Sequence, residues 1–63
     1  MGFREVIKEE LMKRKRLLKS EVMEIAEKLG VSDPLRVIAA LLNDRFIDSC
    51  LNYQHGEAEY YLI

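Results

Sequence analysis

Apolar residues change their repeat once along this chain, near Phe46, and that change restricts the folds open to it. Before it they return at every third or fourth position, as in Phe3, Val6, Ile7 and Leu11, and again in Val22, Ile25, Ala26 and Leu29. After it Ile47, Ser49, Leu51 and Tyr53 alternate with Asp48, Cys50, Asn52 and Gln54. Helical side chains share a face about every 3.6 residues and strand side chains every 2, so the chain reads as helices first and strands afterwards. The class this order predicts is α+β.

The spacing predicts helix one from Phe3 to Lys15, with Glu, Lys and Arg between its apolar positions. The run Lys13-Arg14-Lys15-Arg16 breaks the rhythm, and Leu17-Leu18-Lys19 reads as a short extended link. Ser20 is the expected N-cap of helix two, its hydroxyl accepting a free amide of the next turn. That helix runs to Leu29, with Val22, Ile25, Ala26 and Leu29 on one side. Gly30 closes it, because glycine takes the left-handed conformation at little cost. Val31-Ser32 is the turn, and Asp33-Pro34 opens helix three: the carboxylate is expected to cap free amides, and proline fits the first helical position. Helix three covers Pro34 to Asp44.

His55-Gly56 reads as a two-residue hairpin turn. It pairs Gln54 with Glu57 and sets Tyr53 opposite Ala58, Leu51 opposite Tyr60 and Ser49 opposite Leu62. One hairpin face is then apolar and lies on the helices. The other shows Asp48, Asn52, Gln54, Glu57, Glu59 and Tyr61.

A chain of 63 residues, 49% hydrophobic and 33% charged, has the balance of one globular domain. A domain this small buries only about 60% of its unfolded surface, so its stability is marginal. The one cysteine, Cys50, excludes a disulfide within the chain, and no Cys/His cluster suggests a structural metal. Self-association is the remaining common aid. A free thiol fits a reducing compartment, and the charged stretch Arg4, Glu5, Lys8, Glu9, Glu10 offers no apolar run like a signal peptide or membrane span; an intracellular location without membrane contact is expected. Net charge is −1, but unevenly spread. Residues 1–29 hold eight cations against six acids, whereas residues 30–63 hold Arg36 and Arg45 against five acids.

The order helix, helix, helix, hairpin, read with Ile25-Ala26-Glu27-Lys28-Leu29-Gly30-Val31-Ser32, resembles the winged helix-turn-helix superfamily over essentially the whole chain. Ala26 matches the small residue where two helices cross, Gly30 the turn, and Val31 the plug between helices two and three. Val37, Ala40 and Leu41 match the inward side of helix three, and Gly56-Glu57 with Tyr60-Tyr61-Leu62 a wing returning to the core. The sequence departs from the commoner pattern at Arg36, where an apolar residue is usual, and at Asn43-Asp44-Arg45-Phe46, where many members carry a glycine.

The resemblance implies a small winged helix, three helices followed by a C-terminal β-hairpin wing, that binds double-stranded DNA as a transcriptional regulator and homodimer. Helix three would enter the major groove. Arg36 pairs in bidentate fashion with guanine and Asn43 with adenine, so these two, with Arg45 near the helix end, are candidate readers. Lys13, Arg14, Lys15, Arg16 and Lys19 are candidate phosphate contacts, since clustered cations release counterions from the backbone; cations at a helix C-terminus also suit its dipole. The alternative is a protein-interaction module or accessory subunit of a replication or transcription complex. It is favoured by the acidic carboxyl half and by the apolar circumference of helix three; that helix, with Phe46, Tyr61 and Ile63 on the hairpin face turned from the core, is expected to meet a second copy or another protein, the symmetric dimer being the commoner outcome. Catalysis, metal binding and cofactors are not expected: Cys50 and His55 lack a third group to complete a triad or a tetrahedral site.

Overall fold

A computed structural model describes residues 2–63. Helix α1 spans Phe3–Arg14 and turns Phe3, Ile7 and Leu11 inward, the stripe its apolar spacing predicts. It stops at Lys15, which has a positive φ of 73° and donates its N–H to Leu11 O at 2.9 Å. The next three residues, Arg16–Leu18, form strand β1. This corrects the expected link: β1 pairs antiparallel with a strand from the far end of the sequence, with Leu17 opposite Tyr60.

Helix α2 covers Lys19–Leu29. Ser20 therefore lies inside it and is not the N-cap; extended Leu18 holds that place and has no side chain to cap with. Two carboxylates take over the free amides. Glu21 Oε1 accepts from Leu18 N at 2.9 Å, and Glu57 Oε1 accepts from Ser20 N at 2.6 Å. At the other end Gly30 has φ 70°, with Gly30 N donating to Glu27 O and Val31 N to Ala26 O. That pair of bonds is the Schellman closure expected of glycine past a helix end.

Helix α3 covers Pro34–Asn43 and begins with proline as predicted, but the Asp33 side chain makes no capping bond. Its carboxylate faces the Arg36 guanidinium at 3.9 Å instead, while Arg36 N reaches the Asp33 carbonyl at 3.3 Å. The inward stripe is Pro34, Ile38 and Leu41, with Val37 half-buried and Ala40 exposed. Ala40 is thus displaced from the predicted inward face, because the buried stripe runs through Pro34, Ile38 and Leu41 and turns Ala40 outward with Arg36 and Asn43. Arg45 closes α3 at φ 60°, with Phe46 N on Leu41 O at 3.0 Å and Arg45 N on Leu42 O at 3.1 Å. The same Schellman pattern that glycine serves in α2 is here imposed on an arginine.

Strands β2 (Ile47–Asn52) and β3 (Glu57–Leu62) form the hairpin, and the sheet order is β1-β3-β2. Asn52 faces Glu57, Leu51 faces Ala58 and Ser49 faces Tyr60, so the register is displaced by two residues from the predicted one. Asn52 causes the difference. Its Oδ1 accepts from Gln54 N at 3.0 Å and His55 N at 3.2 Å, and its carbonyl accepts from Gly56 N at 2.8 Å. These bonds close a four-residue loop, Tyr53 to Gly56, where two residues were expected. A displacement of two leaves each side chain on its predicted face, since strand faces alternate.

Every element contributes to one interior: Ile7, Leu17, Val22, Leu41, Ile47 and Tyr60 come one from each and are buried. The hairpin's helix-side face is only half covered. Ile47 and Tyr60 lie in the core, whereas Leu51 is 55% exposed and Tyr53 88% exposed, beyond the reach of the helices.

Candidate nucleic-acid interface

The eight candidate contact residues fall into two groups. Lys13, Arg14, Lys15, Arg16 and Lys19 cluster where α1 ends, β1 runs and α2 begins; Arg36, Asn43 and Arg45 lie on or just past α3. No hydrogen bond or ion pair among the described residues joins the groups, so they do not form one continuous site by direct contact.

Within the first group two of the five cations are already paired. Arg14 bridges to Glu10, one helical turn back, and to Glu21 of α2. Arg16 NH1 donates to Glu59 Oε1 of β3 at 3.0 Å, and its guanidinium lies 5.2 Å from the Tyr61 ring centroid. The cross-strand register accounts for this: Arg16 stands opposite Tyr61, and Asp48 stands opposite Tyr61 on its other side. The bond that Arg16 donates to Glu59 holds the Arg16 pKa above its ordinary value, and the charge of Asp48, ahead of burial, raises that of the Tyr61 hydroxyl. Lys13, Lys15 and Lys19 are exposed and have no ion pair among the described residues. Glu57 is held below the usual carboxylate range by the Ser20 N–H it accepts.

In the second group Arg36 is 85% exposed at its side chain, and Asp33 is its loose neighbour. Ala39, Ala40 and Asn43 are also exposed, so α3 shows solvent a strip of small side chains between an arginine and an asparagine. Arg45 is exposed too, its backbone fixed by the two closing bonds of α3.

Compared with protein-family models, curated proteins and solved structures, the chain matches none of them. No helix of the described residues is long and apolar enough to cross a membrane. Among those residues no group of three or more His, Cys, Asp or Glu is arranged to hold a metal ion. A cleft of about 350 Å³ between α1 and α2 is lined by Glu10, Arg14, Glu21, Glu24, Ile25 and Lys28. Arg14 spans it with its ion pairs.

Three carboxylates that shape the site escaped the sequence reading as partners. Glu21 and Glu57 cap α2, and Glu59 occupies Arg16. Only Glu21 gave a local signal, three residues into the helix as a capping box has it; the other two act across more than thirty residues. Phe46, 46% exposed, and Tyr61 each have a cation of the same chain near one ring face. Lys8 Nζ sits 3.9 Å from the Phe46 ring centroid and Arg16 stacks on Tyr61, and such cations shield an aromatic face within the monomer. Ile63 is left 74% exposed.

Proposed function

We propose that this chain is a winged helix-turn-helix regulator that binds duplex DNA as a homodimer, with α3 in the major groove and the β2–β3 hairpin alongside. The observation that carries the reading is the solvent face of α3. Ala39 and Ala40 are small enough for close approach to a groove, and Arg36 and Asn43 beside them have the donor and acceptor sets that read guanine and adenine edges. Both side chains lack a strong intramolecular partner that would have to be given up. The element order α1-β1-α2-α3-β2-β3, with β3 central in the sheet, is consistent with a winged-helix-like arrangement.

Fluorescence anisotropy with a pool of random duplexes, followed by selection of the bound fraction, tests the proposal. Recovery of a preferred sequence, with Arg36→Ala and Asn43→Ala each costing about 1–3 kcal/mol at one base position, is the expected result. Absence of binding at low salt refutes it.

A second reading, a protein-interaction module, is favoured by Leu51 and Tyr53 standing clear of the core and by the neutralisation of Arg14 and Arg16. It predicts that Tyr53→Ser abolishes a protein complex and leaves nucleic-acid affinity unchanged.

A further inference from the structure

Strand β2 forms one edge of the sheet, and its hydrogen-bonding parity is fixed by three bonds. Ile63 N donates to Phe46 O at 3.2 Å, which makes Phe46 and Ile63 a hydrogen-bonded pair just beyond the strand. Such pairs alternate along an antiparallel ladder, so Asp48, Cys50 and Asn52 point their backbone groups at β3 while Ile47, Ser49 and Leu51 point theirs away. The Asn52 carbonyl, turned inward to Gly56 N, agrees. So does the Ser49 N–H, which has no β3 partner and is met at 2.8 Å by the carboxylate of its neighbour Asp48.

This edge lacks most devices that protect exposed strands. It has six residues, no proline and no lysine, and Asp48 is its sole charge. The other edge, β1, has three residues and is bounded directly by α1 and α2. Only β2 offers a usable template.

We infer that β2 pairs antiparallel with β2 of a second copy about a two-fold axis at Cys50, joining the two sheets into one. Two-fold self-pairing requires the strand to complement its own reverse. Centred on Cys50, it sets Ser49 against Leu51 of the second copy, both with free edge groups, and gives hydrogen-bonded pairs on either side of the axis. Asp48 leaves the Ser49 N–H to that ladder and faces the Asn52 amide of the second copy, so the strand's one charge meets an uncharged donor and not itself. Cys50 then faces Cys50 in a non-hydrogen-bonded pair, where Cα atoms stand about 4.5 Å apart. That falls inside the span of about 4.4–6.8 Å that a disulfide bridges. The inference rests on the homodimer part of the proposed function and is independent of DNA.

The test uses the whole chain in reducing buffer without DNA. Sedimentation equilibrium is expected to show the mass rising with concentration from 7.4 kDa toward its double. Leu51→Pro removes an N–H that does not serve β3, so far-UV circular dichroism should stay the same while the rise in mass is lost. The register is read separately by cross-linking in a Cys50→Ser background with diamide as the azo oxidant. Each disulfide formed releases two thiol hydrogens, which reduce the azo group to a hydrazine. Ser49→Cys and Leu51→Cys chains, each alone, should give no rapid dimer band, whereas their mixture should, because the register sets these two positions opposite each other as a hydrogen-bonded pair about 5.5 Å apart.

A monomer mass at every concentration overturns the inference, as does a dimer that survives Leu51→Pro with the fold intact, or cross-linking of either single variant as fast as the mixture. DNA binding by a chain that stays monomeric would sink the dimer and leave the nucleic-acid reading standing; a dimer without DNA binding would do the reverse.

Discussion

If the chain binds duplex DNA, the salt dependence of binding should count the side-chain cations that are free to reach phosphates, and the structure says which of the candidates those are. Arg14 and Arg16 are held by carboxylates, whereas among the described residues Lys13, Lys15, Lys19 and Arg45 are exposed without a close counter-charge, and Arg36, 85% exposed, has only the loose pair with Asp33 at 3.9 Å. Each phosphate neutralised contributes about −0.9 to the slope of log affinity against log salt, so full use of the five sets a ceiling near −4.5. Affinity would then fall about 500-fold between roughly 50 and 200 mM salt; contacts from Arg36 and Arg45 alone would give a slope near −1.8 and about a 12-fold fall. The assay is anisotropy of a labelled duplex at four or more salt concentrations. Lys13→Gln, Lys15→Gln and Lys19→Gln should each flatten the slope by roughly 0.9 if the first group touches phosphate, while Arg14→Gln should leave it unchanged. Glu59→Gln should steepen it, because it releases Arg16. A slope that drops equally for the paired arginines and the unpaired lysines would refute the reasoning, since the ion pairs would then not restrain the side chains in solution.

Gly30→Ala should destabilise the fold by about 1 kcal/mol, the left-handed penalty less the unfolded-state gain, because the added Cβ meets nothing within 4 Å; thermal melting should show it as a drop of about 4–8 °C, and no drop would mean the closure of α2 is not held as described. Glu57 has a lowered pKa, so its contribution to stability is present above the unfolded carboxylate value and is lost as pH falls through the lower folded one. Urea titrations below neutrality should therefore show a shallower acid loss in Glu57→Gln than in the parent. Burial raises the Tyr60 hydroxyl above 10.0, so the unfolded chain ionises first and stability declines as pH rises past that value; Tyr60→Phe should reduce this alkaline decline, and an unchanged decline would place its cause elsewhere.

The helices were legible because their signals are local. Apolar spacing marked α1 and α2, Gly30 and Pro34 marked the boundaries, and the repeat change at Phe46 marked the hairpin. Strand β1 was not legible: three residues between two helices carry no period of their own, and what makes Arg16–Leu18 a strand is β3, more than forty residues away. The hairpin register depended on one side chain, Asn52, choosing the backbone of its own loop over solvent. For the candidate site, residue types gave the positions of the cations but not their availability. Arg16 and Lys15 are neighbours of like charge in sequence, and only the pairing of β1 with β3 shows that one is tied to Glu59 while the other is free.

Strand β3 follows both of its partners along the chain yet lies between them, so the sheet cannot begin from β1 and β2 alone. Until β3 docks, β1 and β2 are two strands without a mate, and the interior that Leu17 and Ile47 share with Tyr60 stays open. Docking of β3 is thus the step that covers the most adhesive surface, and a fold opened at that strand would bare two strand edges at once.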